Sequence, residues 1–263
     1  MDQKEEAVTT KFHGPVALVR FQPRADGTIS NKGAVQLANR FRSLLEDRQV
    51  RAIVLTGAEQ DIFIRHANLG QIYRAAEALE KGQIGESDFV GTPFPQLCDI
   101  LDRSEKPVIA AINGTCMGGG FEIALACTLR IAAPTARLIG LPEIRLGILP
   151  GSGGPQRLAN LIGAHRARAF ILEGTIVPSE TALAMHIIDE ISPDPVQRAL
   201  ERAGHIARRS PEAVAAIMRE LAPDHGPATE RNALDFAGIL QTNAARQMLE
   251  EQLHNPRPIE TLD

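Results

Sequence analysis

Lys106-Pro-Val-Ile-Ala-Ala-Ile-Asn-Gly-Thr-Cys-Met-Gly-Gly-Gly-Phe-Glu122 joins a continuous apolar run, a turn at Gly114 and a glycine triplet. The apolar run predicts a buried strand, and the triplet predicts the start of a helix. Glycine inside an element costs roughly 0.5–1 kcal/mol relative to alanine, so three in a row indicate that the backbone approaches a ligand closely. The free N–H groups and the positive dipole of a helix N-terminus stabilise an oxyanion. We therefore expect Gly119 to donate such an N–H and Glu122 to face the same cavity.

The triplet also allows a purely structural interpretation, in which a helix packs tightly on the sheet and Glu122 complements its dipole. A second segment favours the catalytic interpretation. Leu141-Pro-Glu-Ile-Arg-Leu-Gly-Ile-Leu-Pro-Gly-Ser-Gly-Gly154 places Glu143 in an apolar run ahead of another glycine-rich helix start. A carboxylate in such surroundings should have a raised pKa. Glu122 and Glu143 are thus the predicted acid/base pair.

The N-terminal part of the chain has the pattern of an α/β protein. Three β-rich runs alternate with helix-period stretches, which predicts crossover connections and a largely parallel sheet. These runs cover residues 16–21, 51–56 and 107–112. Ser30 is the expected cap of the first crossover helix, which should end near Asp47. Its predicted apolar stripe consists of Val35, Leu37, Ala38, Phe41, Leu44 and Leu45.

Helical patterns dominate beyond Pro150. The predicted helices cover residues 164–172, 179–186, 194–209 and 211–221, with a short strand at 187–191. A last long amphipathic stretch, residues 229–253, needs a surface to pack against. We therefore expect an α/β core with the active site at residues 1–192 and a C-terminal helical region at residues 193–263. The segment 81–95 is rich in glycine and proline, which predicts a mobile loop that controls substrate access.

Composition excludes several classes of function. A formal net charge of −4 over 263 residues gives no general attraction to nucleic acid. Every apolar run stops well short of the roughly 20 residues of a membrane span, and the charged start MDQKEE is unlike a signal peptide, so we expect a cytoplasmic protein. Cys98, Cys116 and Cys127 are odd in number and lie among apolar neighbours, which predicts reduced core thiols. No HxxxH or CxxC spacing occurs, so no metal is expected.

The two glycine-rich segments together resemble the signature of the crotonase superfamily, whose usual forms read KPVIAAVNG, GGGCELA and PE..LG..PG.GG. The resemblance extends over about residues 16–191. It implies an α/β fold of the ClpP/crotonase type, a spiral of ββα units with a C-terminal helical region for oligomerisation and pocket closure. It also implies a homotrimer or a hexamer built as a dimer of trimers.

The resemblance further implies that two backbone N–H groups hold a thioester carbonyl. Gly119 matches one donor, and Ala67 matches the other because residues 63–69, FIRHANL, stand where the family has a segment resembling FSAGADL. Glu122 and Glu143 match the catalytic glutamates, and the Gly151 N–H is expected to position the water.

Three further residues are candidates for the site. His66 stands where relatives generally have glycine, and an imidazole there would suit a base or a water-positioning group. Arg65 stands where relatives have a small residue, and Arg24 follows the first strand, where the family often contacts coenzyme A. Both arginines are candidate ligands of the CoA phosphates, although facing solvent is the commoner role of such a charge.

The function implied by the resemblance is hydration of a trans-2-enoyl-CoA through a thioester enolate, with no cofactor other than the coenzyme A of the substrate. Double-bond isomerisation and retro-Claisen C–C hydrolysis use the same oxyanion chemistry and are alternatives. A crotonase-fold binding protein without catalysis is a third alternative, although both carboxylates argue against it. RNA binding would need a basic face, and the net charge of −4 does not indicate one.

Overall fold

The computed structural model describes residues 5–223 and 226–262. A six-stranded sheet forms the first layer of the fold, in the order β1-β2-β3-β5-β7-β10. Its strands are β1 (Ala7–His13), β2 (Val16–Gln22), β3 (Ala52–Gly57), β5 (Val108–Ile112), β7 (Leu129–Ala132) and β10 (Glu190–Ile191). All neighbouring strands are parallel except the β1–β2 hairpin. The predicted, largely parallel sheet is confirmed.

A second sheet of four strands has the order β4-β6-β8-β9. It consists of β4 (Asp61–Ile64), β6 (Gly114–Met117), β8 (Ile139–Gly140) and β9 (Ile176–Val177). The chain passes repeatedly from a strand of the first sheet to a strand of the second and then to a helix. These ββα turns form the spiral that the resemblance implied, and the crotonase-type α/β fold is confirmed.

The helices of the core follow the strands closely. They are α1 (Asn31–Glu46), α2 (Leu69–Glu80), α3 (Pro93–Asp102), α4 (Gly118–Leu125), α5 (Gly154–Ile162), α6 (Ala164–Leu172) and α7 (Ser179–Ala184). The Ser30 side chain caps α1 by accepting a hydrogen bond from the Gly33 N–H, as predicted. Leu37, Ala38, Phe41 and Leu44 of the predicted stripe are buried and Leu45 is partly buried, whereas Val35 is 43% exposed, so its assignment to the stripe was wrong.

Four helices follow, and they are α8 (Pro195–Ala207), α9 (Pro211–Glu220), α10 (Gly226–Leu240) and α11 (Asn243–His254). Helix α8 packs on the outer face of the first sheet through Ala199, Ala203 and Ala207. The amphipathic stretch 229–253 is divided between α10 and α11, because Thr242 caps a new helix by accepting from the Ala245 N–H. The predicted division into a core at residues 1–192 and a helical region at residues 193–263 stays a prediction. Residues 1–4 of the core and residues 224–225 and 263 of the helical region lie outside the described residues.

Two smaller differences concern the predicted loop and strand. Segment 81–95 contains a 3-10 helix, Glu86–Phe89, and the first turn of α3. Of the predicted strand 187–191, only Glu190 and Ile191 pair with β7. In both places the contacts with neighbouring elements decide the local structure, and these contacts cannot be derived from a short sequence window.

The core is formed mainly between the two sheets and α1, α3 and α4. Cys98, Cys116 and Cys127 are buried there as free thiols, and burial raises the pKa of each. A second apolar cluster joins α2 to α10 and α11, through residues such as Ala76, Leu79, Ala237 and Leu249. Through this cluster the C-terminal helices close one side of the larger cavity described below.

Candidate active site

One cavity of about 310 Å³ collects five of the predicted site residues. The oxyanion candidates Ala67 and Gly119, the carboxylates Glu122 and Glu143, and Gly151 all line it. They come from the start of α2, the start of α4 and the loops before α5. Its remaining wall is largely apolar and includes Ile72, Ala75, Ile84, Phe89, Phe94, Ile148, Leu149, Ala233 and Phe236.

The amides of Ala67 and Gly119 lie next to each other at this cavity. The Ile29 N–H donates to the His66 carbonyl over 3.0 Å, and the Asn68 N–H donates to the Ile29 carbonyl over 2.9 Å. The Ala67 N–H between them therefore points to the opposite side of the segment. Gly119 is the second residue of α4, so its N–H precedes the first intrahelical hydrogen bond.

The glycine at position 119 brings these two amides together. A Cβ atom there would lie 3.3 Å from the Ala67 Cβ, 3.5 Å from the Ala67 nitrogen and 3.2 Å from the Phe94 ring. Any side chain would fill the space that a carbonyl oxygen needs. The arrangement has the geometry of an oxyanion hole at a helix N-terminus.

Glu122 is buried and held by backbone. Its Oε1 accepts hydrogen bonds from the Ser152 N–H and the Gly154 N–H, each over 2.8 Å. Burial raises the pKa of Glu122, and the two amides and the nearby Arg157 offset part of that rise because they favour the anion. A Cβ at Gly154 would come within 2.9 Å of the Glu122 Oε1, so this position has to be glycine.

Glu143 has the opposite environment. It begins a 3-10 helix, Glu143–Leu146, and its Oε2 is buried without a hydrogen-bond partner in the part of the chain that the structure describes. Burial raises the pKa of Glu143 well above its usual range, and the charge of Glu122 adds to the rise. Of the two acids, Glu122 is therefore the one whose anion is stabilised by hydrogen bonds, and Glu143 is the one whose pKa is raised further.

The loop before α5 is held by side chains for which the sequence analysis assigned no role. Arg157 donates through Nη1 to the Ser152 carbonyl and forms a buried ion pair with Asp102, with Nη2 2.6 Å from Oδ2. Asn232 of α10 bonds to the same loop from the other side. The sequence analysis missed Arg157 and Asn232 because polar residues usually face solvent, and their burial becomes evident only in the folded chain.

His66 and Arg65 do not reach this cavity. They line a second cavity of about 240 Å³, together with Asp26 and the C-terminal segment 256–260. The His66 Nδ1 lies 2.8 Å from the Ala67 carbonyl oxygen, and burial lowers the pKa of His66. His66 thus lines the second cavity rather than the one that holds the two carboxylates, and its role as a base or water-positioning group stays a prediction.

Arg24 is exposed and lies 3.9 Å from Asp26 in an ion pair. Residues 5–223 and 226–262 contain no group of three or more His, Cys, Asp or Glu side chains arranged to hold a metal ion. Across the same residues, no helix combines the length and the apolar character of a membrane span.

A ββα spiral with two carboxylates and a pair of backbone amides at one cavity defines a protein of the crotonase class. The family model described as enoyl-CoA hydratase/isomerase matches residues 11–252, and the chain belongs to this family.

Solved structures with the same fold include several members of this class. A carnitinyl-CoA hydratase from Mycobacterium avium is 29% identical with a TM-score of 0.80, and the match covers 97% of this chain and 98% of that one. Pseudomonas aeruginosa DspI is 31% identical with a TM-score of 0.71, covering 88% and 94% of the two chains. An enoyl-CoA hydratase from Bacillus halodurans is 21% identical with a TM-score of 0.82, covering 92% and 98%, and it is similar in fold alone.

Proposed function

We propose that this protein hydrates a trans-2-enoyl-CoA to the 3-hydroxyacyl-CoA. The observation that carries the proposal is the meeting of Glu122 and Glu143 at one cavity with the Ala67 and Gly119 amides. Two acids with different environments supply a base and a proton donor, and two amides supply a site for the enolate oxygen.

In the proposed reaction, the thioester oxygen accepts hydrogen bonds from the two amides, which stabilise the negative charge that develops on it. Ionised Glu122 removes a proton from water while the oxygen of the water bonds to Cβ. Protonated Glu143 then delivers its proton to Cα, so that H and OH have been added across the double bond. Proton exchange with solvent returns Glu122 to its ionised form and Glu143 to its protonated form. The Gly151 N–H, at the edge of the same cavity, is the proposed donor that orients the water.

The acyl tail of the substrate is proposed to be uncharged. Phe89, Phe94 and Phe236 supply much of the apolar wall, and among the described residues no Lys, Arg or His lines the cavity. A carboxylate at the far end of the acyl chain would therefore lose its hydration without gaining a cation. We expect hydrocarbon enoyl-CoAs to react and enoyl-CoAs with a terminal carboxylate to be poor substrates.

The coenzyme A moiety is proposed to run from this cavity toward Arg65. Asn68 lines both cavities, so the second one, with Arg65, adjoins the thioester site. Arg24 lies outside both lining sets and remains a candidate for an outer phosphate contact. No cofactor beyond the coenzyme A of the substrate is proposed.

The decisive experiment measures turnover of a short trans-2-enoyl-CoA by the wild type, Glu122→Gln and Glu143→Gln. Each substitution should lower kcat by about 10²–10⁴-fold, the usual contribution of general acid–base catalysis. Glu220→Gln, an exposed position on α9, is the control and should behave as wild type. Equal turnover in all four proteins would end the proposal.

Product mass separates the related reactions. Hydration adds one water, isomerisation leaves the mass unchanged, and C–C cleavage shortens the acyl chain. Hydration is favoured because Glu122 is held in place by two amides, as a base for water requires. We do not propose C–C cleavage, because His66 and Arg65, the residues that would matter more for that reaction, lie outside the cavity that holds the two carboxylates.

We also propose a homotrimer or hexamer in the cytoplasm. Leu172, Ile217 and Leu221 are large apolar side chains that are 64%, 58% and 77% exposed in the single chain. Their burial between subunits would remove apolar surface from water. The molar mass in solution, measured by light scattering, tests the proposal, and a monomer would contradict it.

A further inference from the structure

The loop at residues 150–154 carries much of the proposed site but is built from flexible residues. Its Ser152 and Gly154 amides hold Glu122, and Gly151 borders the catalytic cavity. Three of its five residues are glycine, and Gly153 has a φ of +82°. Such a backbone samples many conformations when nothing restrains it, so its geometry has to come from outside the loop.

Asn232 supplies a restraint at two points. It lies on α10 and is only 3% exposed. Its Oδ1 accepts a hydrogen bond from the Gly153 N–H, and its Nδ2 donates one to the Pro150 carbonyl, each over 2.9 Å. The two contacts lie on either side of Gly151 and Ser152. An amide side chain can both accept and donate, whereas a carboxylate only accepts and an aliphatic side chain does neither.

Phe236 extends the contact of α10 with the same loop. It follows Asn232 by one helical turn, so both side chains lie on one face of the helix. A Cβ at Gly151 would lie 2.9 Å from the Phe236 ring, which shows how closely the ring covers this glycine. Asn232 thus bonds to the loop backbone while Phe236 covers it.

We infer that Asn232 is a positioning residue for the site, which sets the Ser152 and Gly154 amides against Glu122 and fixes the Gly151 amide at the cavity. This inference rests on the proposed function. It makes helix α10 part of the catalytic apparatus, in addition to its packing on α2. Arg157 holds the Ser152 carbonyl from the core side, so removal of Asn232 leaves the loop attached but free to shift.

The test compares Asn232→Ala and Asn232→Asp with the wild type. Thr242→Ala is the matched control, because Thr242 caps α11 without touching the loop. Hydrogen exchange in a peptide spanning residues 150–156 is the first readout. We expect faster exchange in Asn232→Ala, no change there in Thr242→Ala, and an intermediate rate in Asn232→Asp, which keeps the acceptor for Gly153. Unchanged exchange in Asn232→Ala would overturn the inference.

Hydration kinetics are the second readout. A catalytic group misplaced by a remote substitution costs on the order of 10²-fold in rate, so Asn232→Ala should lower kcat by about that factor. KM should change far less, because the substitution removes positioning in the transition state rather than substrate contacts. A rise in KM at constant kcat would contradict a positioning role.

The pH profile gives a signature that a merely structural residue would not produce. Displacement of the Ser152 and Gly154 amides in Asn232→Ala removes hydrogen bonds that favour the Glu122 anion, so the acid limb of kcat/KM should move to higher pH. An unmoved limb would contradict the assignment. A wild type that fails to hydrate enoyl-CoAs would sink the proposed function instead, and the exchange measurement would still decide whether Asn232 holds the loop.

Discussion

Glu122 and Glu143 line the same cavity, but the structure surrounds them differently. Two backbone amides bond to Glu122, whereas an oxygen of Glu143 is buried without a partner within the residues described. Unequal hydrogen bonding of two carboxylates at one cavity separates their proton affinities. Chemical identity therefore does not assign the roles of base and acid here. In the proposed mechanism these roles follow from the loop at residues 150–154, because its Ser152 and Gly154 amides bond to Glu122 and not to Glu143.

Gly154→Ala should give the largest effect on this comparison, because it acts on the Glu122 side. The new Cβ would lie 2.9 Å from both Cγ and Oε1 of Glu122, so the carboxylate has to leave its amides. A shift of this kind costs about 10²-fold in kcat. Gly204→Ala, at an open position in α8, is the control and should add roughly 0.5–1 kcal/mol of stability. Wild-type turnover in Gly154→Ala would show that the amide contacts are not needed.

Gly118→Ala is the corresponding change on the Glu143 side and should have a smaller effect. Its Cβ would lie 3.1 Å from the Glu143 Oε1 and 3.2 Å from the His66 Cβ, and this carboxylate is not held by the loop amides that hold Glu122. The backbone φ of +50° adds strain of roughly 1–2 kcal/mol for alanine. We expect about a tenfold loss of kcat together with a lower Tm. A greater kinetic loss than in Gly154→Ala would reverse the comparison.

The half of the site that contains the glycine motifs could be predicted from sequence. Gly119, Glu122 and Glu143 lie in segments where glycines are needed for close backbone approach, and such positions leave a local signature. The parallel sheet and the cap at Ser30 were predictable for the same reason, since hydrophobic period and capping are local properties.

The other half of the site depends on contacts distant in sequence. Asn232 is separated from Gly153 by 79 positions, and nothing near it in the chain distinguishes it from a solvated polar residue. The cavity that His66 lines also depends on a contact distant in sequence. The sequence places it next to Ala67, but the pairing of Ile29 with this segment directs the Ala67 amide and the His66 side chain into different cavities.

Glu143→Gln should make the protein more stable at alkaline pH. This prediction tests whether the pKa of Glu143 is raised in the folded state. The folded-state pKa of Glu143 is raised above the usual value near 4.5, so the folded state binds more protons than the unfolded state between those two values. Stability therefore falls as pH rises through this window, by about 1.4 kcal/mol for each unit between the two pKa values. Glutamine carries no proton to lose, so the variant should escape this decline. Chemical denaturation at several pH values measures it, and a larger gain in Glu122→Gln would contradict our assignment.

The smallest expected effect is the change that Glu122→Gln makes in the titration of its neighbour Glu143. The charge of Glu122 contributes to the raised pKa of Glu143, so its removal should lower that pKa toward the value that burial alone sets. The reverse substitution, Glu143→Gln, should leave the pKa of Glu122 nearly unchanged, because Glu143 is still protonated when Glu122 ionises. Infrared difference spectra of the carboxyl groups across a pH series follow both titrations. Equal shifts in the two variants would mean that the acids share one proton symmetrically, and the separate roles of base and acid would then have to be abandoned.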